Sequence, residues 1–308
     1  MVSTHGEADA TLTPTQKSRK AWLSSGYTWM AGAAFTFSCM GALTKYTSQS
    51  LPSNEIVFFR GLIMSLFILV LAHRQGVSLR GQRWGLLLVR GALGSGALLC
   101  FFFAISQIRL ADAMTLQLSH PIFVMGFAAV ALRERPTGLE ILLMVTALGG
   151  AILIVQPGSS LFHWASWIGL LSAVFSGMAY TLVRMLSRTE HRLSIIFAFA
   201  WMSCVFSIPL MWSSFVVPSL WLLLQVAGIS FLAFFGQWLM TAAYEKERAG
   251  PVSSMSYLGV AFATFWGFVF WSELPNAWAS VGMIVLVAAC VTLSVARARS
   301  NTYSKKSP

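Results

Sequence analysis

Residues 220–243 read LWLLLQVAGISFLAFFGQWLMTAA, a run of 24 residues that contains no charged side chain. As an α-helix, which rises 1.5 Å per residue, such a run is about 36 Å long and exceeds the roughly 30 Å hydrocarbon core of a bilayer. It has no charged face that water would solvate. The run therefore predicts a transmembrane helix, and it sets the expectation for the chain around it.

The composition of the whole chain is that of a membrane protein. Of its 308 residues, 56% are hydrophobic and 10% are charged, against about 25% charged residues in a typical soluble domain. The net charge of +11 does not indicate nucleic acid, because the basic residues stand in short clusters between apolar runs. Helices satisfy their own backbone groups in lipid. We therefore predict an all-α integral membrane protein whose partner is the lipid bilayer and not a nucleic acid.

Ten apolar runs along the chain are long enough to cross the hydrocarbon core. The connections between them are short, so we expect one helical bundle without an extramembrane domain. The predicted spans cover residues 26–44, 54–73, 84–106, 112–132, 138–156, 164–184, 193–213, 220–243, 251–271 and 276–296.

The basic residues outside these runs predict how the chain is oriented. Seventeen lysines and arginines fall on the side that holds both polar tails, residues 1–25 and 297–308, and only Lys45 and Arg109 fall on the other side. Loops rich in lysine and arginine remain in the cytoplasm. Both termini are therefore predicted to be cytoplasmic.

When the sequence is aligned with itself so that Lys45 is paired with Arg184, one half of the chain is aligned with the other. We call this shift in residue number the repeat offset. Without a gap it also pairs residues of the same type or charge: Ala104 with Ala243, Arg109 with Arg248, Glu134 with Glu273 and Pro136 with Pro275. The repeat offset maps the first five spans onto the last five. Because each half has an odd number of spans, the halves, residues 26–156 and 164–296, cross the membrane in opposite directions. Such inverted-topology repeats are typical of secondary transporters.

Several short motifs resemble those of one transporter family. They are Lys45 at the end of span one, the segment Glu55-Ile-Val-Phe-Phe-Arg60, the element Val89-Arg90-Gly91, the ending Arg133-Glu134-Arg135-Pro136 of span four and its echo from Trp271 to Pro275. Together they resemble the EamA-like branch of the drug/metabolite transporter (DMT) superfamily over residues 26–296. The first half is similar to S-adenosylmethionine uptake carriers of intracellular bacteria.

The resemblance implies a secondary active transporter of the bacterial inner (plasma) membrane that moves a small organic metabolite by alternating access. S-adenosylmethionine, exchanged for S-adenosylhomocysteine as in an antiporter, is one implied cargo, and export of an amino acid, drug or other metabolite is the alternative. No GxxxxGK[ST] sequence is present, which argues against a built-in ATP motor. Exchange or an ion gradient would supply the energy. The sequence leaves open whether the carrier forms a homodimer.

An integral membrane enzyme, for instance one that modifies lipids, is the rival class. Its site would need acids, bases or metal ligands at one depth in the membrane. The sequence has no HExxH motif, no pair of carboxylates inside the spans and no histidine cluster, and its four cysteines are isolated in apolar runs. We therefore expect no catalytic residues, no metal site and no cofactor.

Two arginines inside the predicted spans are the first candidates for binding the cargo or for gating. A charged side chain within a span costs a few kcal/mol. Arg60 and Arg90 therefore require a water-filled cavity, a bound substrate, or structural bonds to carbonyls or lipid headgroups. Glu55 precedes Arg60 by five residues and lies about 140° from it on a helix. We expect Glu55 at the outer rim, paired with Lys45, or in a gate.

Polar residues before a proline mark span four. Gln117, Ser119 and His120 precede Pro121, which removes a backbone donor and leaves a gap that neighbouring polar groups can occupy. His120 is then a proton carrier or a hydrogen-bond donor to the cargo. The alternative is a neutral histidine that bonds to a facing helix.

Polar stripes at helical spacing mark three later spans and include Tyr180 in span six, Gln237 in span eight and Tyr257 in span nine. Lipid would reject these stripes, so they face other helices, either as interhelical hydrogen bonds or as the lining of a substrate path. Trp238 is placed to stack on an aromatic cargo or to contact a sulfonium, with ordinary packing as the alternative.

Overall fold

The computed structural model describes residues 25–108, 110–157, 163–212, 215–272 and 274–304. Every regular element in these ranges is a helix, as the composition predicts. The predicted N-terminal tail, Arg109 and Glu273 lie outside the described residues.

The helices follow the predicted spans closely and differ from them mainly at two breaks. Helix α12 continues to Ser304, beyond the predicted end of span ten at residue 296. The elements are α1 (Gly26–Thr47), α2 (Ser53–Gln75), α3 (Trp84–Gln107), α4 (Leu110–Gln117), α5 (His120–Ala131), α6 (Gly138–Val155), α7 (Ala165–Leu186), α8 (Arg192–Met211), α9 (Leu220–Lys246), α10 (Ala249–Ser254), a 3-10 turn (Met255–Tyr257), α11 (Leu258–Trp271) and α12 (Ala277–Ser304).

Nine helical stretches in the described part of the chain are long and apolar enough to cross a membrane. They comprise α2, α3, α6, α7, α8, α9 and α12, together with α4–α5 and α10–α11, each of which counts as one stretch. Helix α1 has 22 residues, which is sufficient length, but its threonines, glycines and tyrosines keep its mean hydropathy below that of the other nine. The chain is therefore an all-helical, multi-pass membrane protein.

Span four, predicted as one helix, is broken between α4 and α5. Pro121 occupies the first turn of α5, where its missing N–H costs no helical bond. The hydroxyl of Ser119 donates to the carbonyl oxygen of Leu116, and this local bond competes with the regular helical pattern. The break therefore coincides with the polar residues that the sequence singles out.

Span nine, also predicted as one helix, is broken by the 3-10 turn at Met255–Tyr257. The hydroxyls of Ser253 and Ser256 donate to carbonyl oxygens three residues earlier, at 2.6 and 2.7 Å, and such bonds bend helices. The repeat offset maps Gln117, at the first break, onto Ser256. The two breaks thus occupy equivalent positions in the two halves.

The main helix contacts join one half of the chain to the other. Helix α1 packs along α9, and α3, the equivalent of α9, packs along α7, the equivalent of α1. Helix α1 also packs on α11, while α7 packs on α5 in the same way. The pairs α2–α8 and α6–α12 each join a helix to its own equivalent. Exchanging the halves therefore leaves this pairing pattern unchanged.

Small residues allow the closest of these contacts. A Cβ atom at Gly61 on α2 would lie 2.8 Å from the carbonyl oxygen of Ala200 and 3.0 Å from the amide nitrogen of Cys204, both on α8. The repeat offset pairs Gly61 with Ala200. Residues related by the repeat thus lie against each other where α2 packs on α8.

Replacing Gly61 by alanine should destabilise the protein by about 1–3 kcal/mol, because backbone atoms of α8 would have to move. Gly126→Ala on α5 is the matched control, because a Cβ there meets nothing within 4 Å. It should leave stability unchanged or raise it by up to about 1 kcal/mol through helix propensity. Unfolding in detergent titrated with dodecyl sulfate measures both, and equal effects would contradict this packing.

Candidate functional site

A cavity of about 210 Å³ lies between α3, α4, α7, α8 and α9. It is smaller than the roughly 300–1,000 Å³ of typical ligand pockets, so a cargo of drug size requires its walls to move. Its polar and aromatic lining includes Arg90, Phe101, Gln117, Tyr180, Phe199 and Gln237. Four of these, Arg90, Gln117, Tyr180 and Gln237, are candidates from the sequence.

Arg90 carries the charge of this cavity. Its side chain is only 1% exposed, and its guanidinium stacks on Phe199 with Cζ 4.5 Å from the ring centroid. Nη2 donates to Oε1 of Gln237 at 3.1 Å, whereas Nε and Nη1 have no partner among the described residues. One neutral acceptor does not balance a buried charge. The guanidinium therefore keeps two donors for an anion.

The carboxylates that the structure describes do not neutralise this arginine. Glu55 is fully buried and accepts from the amide of Val216 at 2.8 Å, which ties the start of α2 to the segment before α9. The other acidic side chains that the structure describes bond at one end of the bundle: Glu134, Glu140, Glu190, Glu245 and Glu247. None of these bonds reaches Arg90.

Gln117 joins α4 to the polar stripe on α7. Its amide nitrogen donates to the hydroxyl of Ser176 at 2.9 Å, and its amide oxygen accepts from Ser172. The predicted stripe on span six therefore faces the cavity. Tyr180 continues this stripe and stacks on Tyr244 of α9, with ring centroids 6.0 Å apart.

His120 lies at the contact between the two helix breaks. Its Nδ1 is 3.0 Å from the carbonyl oxygen of Gln117, and its Nε2 is 3.3 Å from the hydroxyl of Ser256. The ring meets Tyr180 edge-on at a centroid distance of 5.3 Å. His120 thus contacts Gln117 and Tyr180, which line the cavity, but neither His120 nor Ser119 is among the lining residues.

Glu55, Trp238 and Tyr257 lie away from the cavity. Glu55 is bound to the segment before α9, as described above. Trp238 follows Gln237 and points about 100° away from it around α9, where it contacts the guanidinium of Arg192 at 5.2 Å. Tyr257 is buried in the main apolar core, and its hydroxyl has no partner in the described part of the chain.

Arg60 lies near Phe199, one of the residues that line the cavity. Its Cζ lies 5.9 Å from the centroid of that ring, and its Nη2 is buried without a partner among the described residues. Phe199 therefore contacts both arginines. It was not predicted from the sequence, although the repeat offset pairs it with Arg60.

Ion pairs between the halves close one end of the bundle, which we call the basic end. Arg184 at the end of α7 bonds Glu134 at 3.0 Å, with side-chain exposures of 11% and 9%. Arg248 before α10 bonds Glu140 on α6 at 2.8 Å. Glu134 also accepts from the amide of Ala249 at 2.8 Å. This network, which was not predicted from the sequence, joins the two halves at this end of the bundle.

Known proteins are similar to this chain in sequence and in fold. A family model described as the EamA-like transporter family matches the chain twice, over residues 24–156 and 163–295. The chain is 43% identical over 277 residues to the pseudopaline exporter CntI of Pseudomonas aeruginosa, covering 88% of this chain and 96% of that protein. It is 29% identical to human solute carrier family 35 member G1 over 85% of this chain and 77% of the relative. A solved crystal structure with 15% identity matches in fold, with a TM-score of 0.77 over 89% of this chain and 98% of that chain.

Proposed function

Because this chain belongs to the EamA-like transporter family, we propose that it exports a small carboxylate-bearing metabolite across the bacterial inner membrane by secondary active transport. The observation that carries this proposal is Arg90, buried against the cavity with two donors free of partners in the described chain. Burying a charge without a counterion is costly. A cargo carboxylate that accepts from one of these donors and from the second N–H of Nη2, which lie on one edge of the guanidinium, supplies the missing counterion.

The other cavity residues fit an anionic, partly polar cargo. Gln117 and Tyr180 offer hydrogen-bonding groups opposite Arg90, and Phe101 and Phe199 offer apolar surface. Arginine presents its donors in a planar fork that matches a carboxylate with two parallel bonds. The cavity thus combines one strong anion contact with contacts that any small organic molecule can use.

S-adenosylmethionine, which the resemblance of the first half implies, fits this cavity poorly. Its sulfonium and amino groups give it a net positive charge, and the arginine would repel that charge in a low dielectric. The names of the relatives described above do not support it either. The exporter among them, CntI, makes pseudopaline the first compound to test as cargo.

Alternating access follows from two inverted five-helix halves, residues 26–156 and 164–296, that rock against each other. Two observations support this mechanism. The same helices pair when the two halves are exchanged, and the family model matches each half separately. Helix α1 is the tenth span in this scheme. The broken helices at equivalent positions, one of them lining the cavity, are the kind of element that forms substrate sites in such repeats.

The basic end is then the cytoplasmic end, with both termini on that side, because the positive-inside rule assigns its arginines there. The pairs Arg184–Glu134 and Arg248–Glu140 close it in this state. Loading the cargo from the cytoplasm requires these pairs to separate. Export then needs an ion gradient or an exchanged molecule to drive the cycle.

Gln237→Glu tests the anion contact without changing side-chain shape. The new carboxylate would stand 3.1 Å from Nη2 of Arg90 and neutralise it, so the apparent affinity for an anionic cargo should fall about 10-fold or more. Gln225→Glu, whose side chain bonds Thr47 near the opposite end of α9, is the control. Transport of labelled pseudopaline into proteoliposomes measures both, and wild-type transport by Gln237→Glu would overturn the assigned role of Arg90.

A further inference from the structure

Arg60 is a second cation within a span, half-buried, and the contact proposed at Arg90 does not account for its charge. It precedes Gly61, where α2 packs closely against its equivalent helix α8. Arg60 is seven residues from the start of α2, roughly 10 Å along the helix, so its charge lies within the span. Its Nη2 nonetheless lacks a partner among the described residues.

Glu55, the acidic residue nearest to Arg60 in sequence, does not neutralise it. One carboxylate oxygen of Glu55 accepts from the amide of Val216, on the segment that precedes α9. The guanidinium of Arg60 instead contacts the ring of Phe199. A cation–π contact contributes about 0.5–2 kcal/mol, which is well below the cost of an uncompensated charge.

Phe199 connects this arginine to the cavity. Its ring centroid lies 4.5 Å from Cζ of Arg90 and 5.9 Å from Cζ of Arg60. Both distances are measured to the same ring centroid. The Cζ atoms of Arg60 and Arg90 are therefore no farther apart than these two distances added together. One small molecule can therefore reach both arginines once the Phe199 ring turns.

We infer that Arg60 forms a second anion-binding subsite beside Arg90, and that the cargo carries two anionic groups, one for each arginine. This inference rests on the proposed function and narrows its cargo to dianionic metabolites such as dicarboxylates. Phe199 separates the subsites and offers its ring to the apolar part of the cargo. Each arginine then acquires the counterion that the described chain does not provide.

Binding of linear acids to the purified full-length protein tests this inference. Isothermal titration in detergent compares the dicarboxylates from succinate to pimelate with monocarboxylates of the same number of carbons. With two subsites, the preferred dicarboxylate should bind about 10- to 100-fold more tightly than its monocarboxylate, the effect of one charge-assisted contact. With one subsite, the monocarboxylate should bind more tightly than the dicarboxylate, because the second carboxylate would be buried without a partner.

Variants test whether the preference for dicarboxylates depends on Arg60. Arg60→Gln should remove it, Arg60→Lys should retain part of it, and Arg74→Gln, an exposed arginine on the same helix, should leave it unchanged. A preference that survives Arg60→Gln, or a wild-type preference for monocarboxylates, overturns the second subsite. If either result overturns the second subsite but Arg90→Gln still weakens monocarboxylate binding, the proposed function stands. If the wild type binds neither kind of acid, both proposals fail.

Discussion

Arg90→Gln should reduce transport at least about 100-fold while the protein remains folded in the membrane. The substitution removes the charge that faces the cavity and the fork of donors that a carboxylate needs. Two charge-assisted hydrogen bonds at about 1.5–3 kcal/mol each account for this loss. Because the wild-type charge is buried against one neutral acceptor, its removal should not destabilise the fold.

Arg74→Gln is the control for a general effect of losing a positive charge, because Arg74 is exposed near the end of α2. Initial transport rates in proteoliposomes, normalised to the amount of inserted protein, compare the two variants. Size-exclusion profiles in detergent check the fold. Transport by Arg90→Gln within a few-fold of the wild type would contradict the anion site.

Arg184→Gln should open the basic end, whereas Arg188→Gln should not. Both arginines bond the same carboxylate of Glu134, but Arg184 is 11% exposed at 3.0 Å and Arg188 is 54% exposed at 3.4 Å. Breaking a buried pair costs about 3–5 kcal/mol, and an exposed pair contributes about 0–1 kcal/mol. In Arg184→Gln, Glu134 keeps its bond to the amide of Ala249, so we expect a loss at the lower end of the range for a buried pair. That loss corresponds to about a 100-fold shift of the equilibrium toward the form that is open at the basic end.

A cysteine in place of Ala179, which lines the cavity, reports this opening. In a background without the four native cysteines, a membrane-impermeant thiol reagent applied to the cytoplasmic face of inside-out vesicles should label Cys introduced at Ala179 much faster in Arg184→Gln than in Arg188→Gln. Equal labelling rates in the two variants would show that this pair does not close the end of the bundle.

The positions of the spans could be read from the sequence because lipid imposes a strong constraint on length and polarity. Residues 220–243 were predicted as a span, and α9 covers them and continues to Lys246. The continuation arises from tertiary contacts, since Glu245 at its end bonds Arg192. The break in span nine was missed because Pro251 lies in the first turn of α10, whereas the turn follows it and depends on serine hydroxyls.

The candidate site was predicted only in part, because the sequence identifies polar residues but not where they face. Arg90, Gln117, Tyr180 and Gln237 converge on one cavity, although each was proposed from its own span. Trp238 points elsewhere because one residue along a helix turns the side chain by about 100°. Phe199 was missed because a phenylalanine in an apolar span is read as packing, and the sequence does not show that two arginines lie near its ring.

Transport of pseudopaline by the wild-type protein in proteoliposomes, with S-adenosylmethionine as competitor, decides whether the cavity selects an anionic cargo. We expect saturable transport that unlabelled pseudopaline inhibits and that S-adenosylmethionine leaves unchanged. Inhibition by S-adenosylmethionine at a similar concentration, or its own saturable transport, would contradict an anion-selective cavity built on Arg90.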